Sequence, residues 1–151
     1  MKVSPLERFR SFVEPAFRRP EFVQAAALCL REGKDGREVL MVTSLGTGRW
    51  ILPKGWPMEG RSLAGAALQE AWEEAGVIGH VDEVPVGYYL YTKKRQGDFG
   101  LSCRVELFRV HVADLAREWP ERKLRRRRWV SLEKASRQVA EPDLAALLMR
   151  M

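Results

Sequence analysis

Alternation and runs of apolar residues divide this chain into short elements before any chemistry is considered. "FVQAAALCLRE", from Phe22, is a near-continuous apolar run closed by the turn "GKDG", and "REVLMVTSL" begins a second strand. "GTG" makes another turn before "RWILPKG", a short strand ending at a proline and a glycine. Three strands joined by tight turns predict antiparallel or mixed pairing. In "SLAGAALQEAWEEAG" the pattern changes period: Leu68, Ala71, Trp72 and Ala75 recur at i, i+3, i+4 and i+7, which predicts a helix with that core stripe. Ser62 suits its N-cap, and Gly76 suits its end because glycine enters the left-handed region freely. "VPVGYYLYTKK" and "GLSCRVELFRVHV" predict two more strands around the polar loop "KRQGD". "RRRRWVSL" predicts another strand, and "EKASRQVA" and "PDLAALLMRM" predict terminal helical turns. Strands, a central helix, more strands and a terminal helix describe an α+β domain, with layers of helix and sheet. Upstream, Leu6, Phe9, Phe12 and Val13 lie near helical spacing before "EPAFRRP" interrupts, so residues 1–20 are expected to form a short helix or arm. The single domain is expected over 21–151.

Composition narrows the setting. A chain of 151 residues with 46% hydrophobic and 30% charged residues is an ordinary globular domain. Its net charge of +6 suits polyanionic partners without choosing among them. Cys29 and Cys103 lie far apart in apolar segments without C-x-x-C spacing, which predicts buried free thiols and a reducing cytoplasm. The N-terminal stretch carries no apolar signal core, and no apolar run approaches the ~18 residues a span needs. A soluble cytoplasmic protein with no membrane partner is expected.

The chemistry concentrates between Gly55 and Val77. At about 100° per residue, Glu70, Glu73 and Glu74 fall within about 100° of arc on one helix face. Like charges one turn apart cost about 0.2–0.5 kcal/mol per pair, and the negative end of the helix dipole adds to that. No lysine or arginine follows at i+3 or i+4 to offset them. A divalent cation removes the penalty: carboxylates one turn apart offer hard oxygen ligands and leave other positions for water and phosphate, the habit of Mg²⁺. Metal-assisted phosphoryl chemistry competes here with the plainer reading of a solvated acidic face.

The same stretch, "GWPMEGRSLAGAALQEAWEEAGV", resembles the Nudix box, G-x5-E-x7-R-E-U-x-E-E-x-G-U, where U is a bulky aliphatic. Gly55, Glu70, Glu73, Glu74, Gly76 and Val77 match in register, and Ala71 is a small version of U. The resemblance implies the Nudix fold, an α/β/α sandwich with a mixed β-sheet, the box helix and a C-terminal helix. It also implies Mg²⁺- or Mn²⁺-dependent hydrolysis of a diphosphate linkage, with Glu70, Glu73 and Glu74 as metal ligands beside the carbonyl of Lys54 or Gly55. Glu73 and Glu70 are the catalytic candidates, and a general base outside the box is as defensible. Two positions depart from the pattern: Arg61 replaces the first box glutamate and Gln69 the box arginine, which in the family is taken to orient the helix carboxylates. Glutamine donates a hydrogen bond but has neither the charge nor the fork of a guanidinium. Glu59, two residues before Arg61, is a candidate substitute acid, and Glu106, beside Arg104 in "CRVELF", is another.

Lys54, Lys93, Lys94 and Arg104 are the candidate phosphate-binding cations. Arg125 to Arg128 form a run that alternation splits two to each face of a strand. "WILPKG", "EAWEEAG" and "RRRRWVSLEKA" resemble the branch containing diphosphoinositol polyphosphate and diadenosine polyphosphate hydrolases. A small, highly phosphorylated substrate is therefore expected. Another nucleoside diphosphate derivative, an RNA 5′ end (less favoured), and an impaired ligand-binding module are the alternatives.

Overall fold

The computed structural model describes residues 22–93 and 101–151. The expected arm over 1–20, Lys94 and the side chain of Lys93 lie outside the described residues. Among the described residues, eight strands and three helices follow in chain order: β1 (Phe22–Gly33), β2 (Gly36–Thr43), β3 (Trp50–Ile51), β4 (Lys54–Gly55), α1 (Leu63–Ala75), β5 (Val77–Val81), β6 (Gly87–Lys93), β7 (Leu101–Leu115), β8 (Arg127–Ser131), α2 (Leu132–Gln138) and α3 (Pro142–Met149).

β1 organises the sheet because both of its faces are buried, as its unbroken apolar run requires. Its first part pairs in parallel with β7, from Phe22↔Cys103 to Cys29↔Val110, and antiparallel with β4 at Ala25↔Gly55 and Ala26↔Lys54. Its last part turns at Lys34–Asp35 into an antiparallel hairpin with β2. The path runs β3-β2-β1-β7-β5, with β8 also on β2 and β6 also on β7. The pairing is mixed, and β5 directly after Gly76 was absent from the expected strands. Its five residues, "VIGHV", contain a glycine and a histidine and bury only Val77, too little apolar signal to read beside a strong helix.

α1 covers one face of the sheet and α2 with α3 the other, giving the expected sandwich. The expected stripe on α1 needs correction. Ala71 and Ala75 are buried as predicted, but Leu68 and Trp72 are only partly so, and the contact surface is built from Ala64, Ala66, Ala67, Ala71 and Ala75. Bulk is a poor mark of the core here, because this interface is made of small side chains. Nor is the acidic face wholly solvated: Glu74 is buried at 3% exposure.

Candidate metal and phosphate site

α1 starts where Ser62 caps it, its hydroxyl accepting from the Gly65 N–H at 3.0 Å. It ends at Gly76, φ +69°, where a Cβ would press on Arg127 and the Trp119 ring. The penalty of placing three glutamates at this end is met from distant sequence. The Trp119 indole N–H donates to the Glu74 carbonyl at 3.1 Å, the Glu121 N–H to the Glu73 carbonyl at 3.0 Å, and Arg127 to the Ala75 carbonyl at 2.9 Å. These donors satisfy the open carbonyls of the last turn, and the guanidinium complements the dipole. Arg127 also lies 3.8 Å from the Trp119 ring.

The carboxylates are held individually. Glu74 sits between the Lys54 backbone N–H, which donates to Oε2 at 3.0 Å, and Arg125, whose Nη2 is 2.9 Å from Oε1. Glu73 accepts from the Gln69 amide at 3.1 Å. Glu70 packs so closely on the β4 backbone that any Cβ at Gly55 would collide with its carboxylate. This close approach is the physical reason for glycine there. Burial pushes the Glu70 carboxyl up to about 7, and repulsion from Glu73 and Glu121 acts in the same sense, partly offset by Arg125 and Lys54. Burial likewise raises Glu74 to about 7 against the pull of Arg125, with Glu70 adding to the rise.

These side chains line one cavity of about 950 Å³ with Glu121, Arg49, Lys54, Arg125 and Trp56. Among the described residues no three acids converge into a closed metal cage. Instead Glu70, Glu73, Glu74 and Glu121 border one open space from several sides, with Glu74 turned toward Arg125. Lys54 lines this cavity. Arg104 and Glu106 do not: they pair with each other at 3.0 Å, and Arg104 lies over Tyr88. Glu59 is exposed in the turn before α1, outside the cavity, as is Arg61.

Glu121, Arg125 and Arg49 were missed as site residues. The signal available for Arg125 was the alternation of the arginine run, and the structure follows it. Arg125 and Arg127 turn to the end of α1, whereas Arg126 and Arg128 lie over Trp50 at 5.7 and 4.4 Å. No local pattern marked Glu121, because only the tertiary return of residues 116–126 brings it to the helix.

The NUDIX domain family model matches residues 22–151. The chain belongs to the Nudix family. Nudix hydrolase 12, mitochondrial, of Arabidopsis thaliana is 36% identical over 101 residues, covering 65% of this chain and 50% of that protein. Diphosphoinositol polyphosphate phosphohydrolase 3-alpha of Mus musculus is 28% identical over 137 residues, covering 89% and 76%. The chain spans about half the length of the plant relatives it matches. Among solved structures, the C. elegans Ap4A hydrolase superposes with a TM-score of 0.61 at 19% identity, over 86% of this chain and 94% of that one. A NUDIX hydrolase from Nitrosomonas europaea reaches 0.66 at 21% identity, over 86% of each. At such identities the likeness is one of fold. Within this Nudix domain the box glycine, Gly55, and the box glutamate Glu70 meet where β4 passes α1.

Proposed function

We propose that this Nudix domain is a Mg²⁺- or Mn²⁺-dependent pyrophosphohydrolase that cleaves a diphosphate linkage in a small, highly phosphorylated molecule, a dinucleoside polyphosphate or a diphosphoinositol polyphosphate. The observation that carries this reading is the single cavity bordered by Glu70, Glu73, Glu74 and Glu121 together with Arg49 and Lys54.

The donor set fits a hard divalent cation. All four acids offer oxygen, and the cost of burying the Glu70 charge, to which repulsion from Glu73 and Glu121 adds, is one that such an ion relieves. Glu70, Glu73 and Glu74 would hold it, with Glu121 as a further acid. When bound, a divalent cation polarises phosphoryl oxygens and makes water more acidic. Lys54 and Arg49 place the phosphates. Water attacks phosphorus, the anhydride P–O bond breaks, and Glu73 takes the water's proton, its carboxylate oriented by Gln69; Glu70 is the rival base. Lys93 and Lys94 are proposed as outer phosphate contacts for the longer substrates, whereas Arg104, Glu106 and Glu59, outside the cavity, take no part in this scheme.

Two observations weigh on the alternatives. The arginine run is engaged within the molecule, on Glu74, Trp50 and Trp119, which favours a small polyphosphate over an RNA 5′ end. The impaired binding module draws on Gln69 and Arg61. Against it, Glu73 and Glu74 both keep donors that fix them. Cys29 and Cys103 are buried and unpaired, and burial pushes the Cys29 thiol up to about 12, which suits a reducing compartment. We propose the cytoplasm, although several plant relatives are named for mitochondria or chloroplasts.

The test is a panel of dinucleoside polyphosphates, diphosphoinositol phosphates, nucleotide sugars and capped RNA with Mg²⁺ or Mn²⁺ and identified products. Metal-dependent turnover of the first two classes above the rest is expected. Tight binding of the panel without turnover would establish the binding module instead.

A further inference from the structure

We infer that Arg125 is the positioning residue of this site, supplying from the lead into β8 the guanidinium that position 69 of the helix lacks. The inference rests on the metal-site reading above. It concerns how the carboxylates are held, which that reading leaves open.

Arg125 is a poor candidate for an incidental surface contact. Its side chain is 9% exposed and that of its partner Glu74 is 4% exposed. One guanidinium makes three kinds of contact: Nη2 to Glu74 Oε1 at 2.9 Å, Nε and Nη2 to Glu121 Oε1 at 3.4 Å, and Nη1 donating to the Thr43 carbonyl at 3.0 Å. The last contact matters most for positioning, because it ties the head group to the end of β2. That end is itself fixed by two bonds to the next residue, Thr43 N–H to the Arg126 carbonyl at 3.0 Å and Arg126 N–H to Thr43 Oγ1 at 2.9 Å. The planar fork of arginine can serve a carbonyl and two carboxylates at once, which a lysine ammonium on a flexible stem does not reproduce.

Glu74 is consequently gripped at both oxygens, by a guanidinium anchored on β2 and by the N–H of Lys54 in β4. Gln69 reaches a different carboxylate, Glu73, and brings no charge. The two functions of a box arginine, charge and orientation, are here divided between residues 56 positions apart along the chain (69 and 125). Stability alone explains the arrangement badly. Desolvating a buried ion pair offsets much of its attraction, and a packed apolar pair commonly does as well. What the charged pair provides and an apolar one cannot is a fixed carboxylate.

A competing role predicts the opposite sign. If Arg125 were only a counter-ion that neutralises the acids when no cation is bound, it would repel an incoming cation, and its removal would tighten metal binding. The experiment is Mn²⁺ titration of the full chain without substrate, followed by electron paramagnetic resonance and calorimetry, so that no turnover is involved. Arg125→Met is expected to weaken Mn²⁺ binding by about 10–100-fold, the usual effect of losing a residue that orients a ligand. Adding Gln69→Arg to that variant is expected to recover at least about tenfold, within the same range. Equal or tighter binding by Arg125→Met, or no recovery in the double variant, overturns the inference. Should Arg125→Met fail to melt cooperatively, Arg125→Lys decides: it keeps the charge and loses the fork, so weakened binding supports positioning and unchanged binding refutes it. A parent chain that binds no Mn²⁺ removes the site reading and this inference together. A parent that binds while the variants bind equally well removes the inference alone.

Discussion

The two faces of the sheet are built from different side chains. Among the described residues, the core under α1 is dominated by alanines, Ala25, Ala27, Ala64, Ala66, Ala67, Ala71 and Ala75, with Leu40 its one buried leucine. The core under α2 and α3 is dominated by leucines, among them Leu28, Leu52, Leu107, Leu144 and Leu148. Fully buried leucines each contribute about 1.5–3 kcal/mol, far more than alanines of smaller area. The alanine face therefore contributes less stability for its area and gives something else: proximity. Small side chains let a helix approach its neighbour closely, and here the approach brings the Glu74 carboxylate within 3.0 Å of the Lys54 backbone and Glu70 against Gly55. One face holds the fold, and the other presents carboxylates to the backbone of a strand.

If that division is right, the largest effect should come from a change that leaves both cores untouched. Glu73→Gln removes a carboxylate from the cavity, and hydrolysis is expected to fall by about 10²–10⁴-fold, the usual scale for a general base. Its melting temperature should stay at or above that of the parent, since one like charge beside Glu70 is gone. Parent-like turnover of every substrate would place the chemistry elsewhere. The mirror experiment is Leu144→Ala on the opposite face, which empties a site that is 1% exposed and should cost about 2–5 kcal/mol in a denaturant melt. The Leu144→Ala protein that remains folded should bind Mn²⁺ as the parent does.

A smaller effect joins the two properties. Ala71→Leu adds bulk to the alanine face, where overpacking costs about 1–3 kcal/mol. Because it also pushes α1 from the sheet, it should weaken Mn²⁺ binding, which Leu144→Ala does not. If Ala71→Leu lowers stability and leaves metal affinity intact, proximity is not what the alanines provide.

The parts legible in the sequence were those encoded locally. The strands flanking "GKDG", the cap at Ser62, the stop at Gly76 and the acidic face of α1 all follow from residues within one or two turns of one another. The departures at Arg61 and Gln69 were equally legible, but their consequence was not. Arg61 is exposed in the turn and Gln69 reaches only Glu73, whereas Arg125 reaches Glu74 only because residues 116–126 fold back over the end of α1. Glu121 is visible as a site residue for the same tertiary reason. Arg104 and Glu106 show the converse: adjacent on one phase of β7, they pair with each other outside the cavity. Sequence spacing finds which charges share an element's face. It does not find which partner from another element reaches them first.

The subtlest separation of the two faces is their response to pH in the metal-free protein. Glu70 and Glu74 are raised from an ordinary 4.5 to about 7, chiefly by burial. Above about pH 4.5 the unfolded chain has released protons that the folded chain still holds, so rising pH favours unfolding. The contribution of these protons to stability is fully present below pH 4.5 and is lost as pH climbs through about 7. With EDTA present, the melting temperature should fall between pH 5 and pH 8 by the equivalent of roughly 2 kcal/mol, discounted for the half-exposed Glu70, and should level off above that. Mn²⁺ should reverse the slope, because the cation requires both carboxylates deprotonated and its binding releases their protons. Glu74→Gln should flatten the metal-free slope, whereas Leu144→Ala, on the other face of the sheet, should lower the whole curve without changing its shape. A metal-free melting temperature that stays level across this window would show that α1 does not hold its acids protonated, and the close approach of that helix would then lack its electrostatic cost.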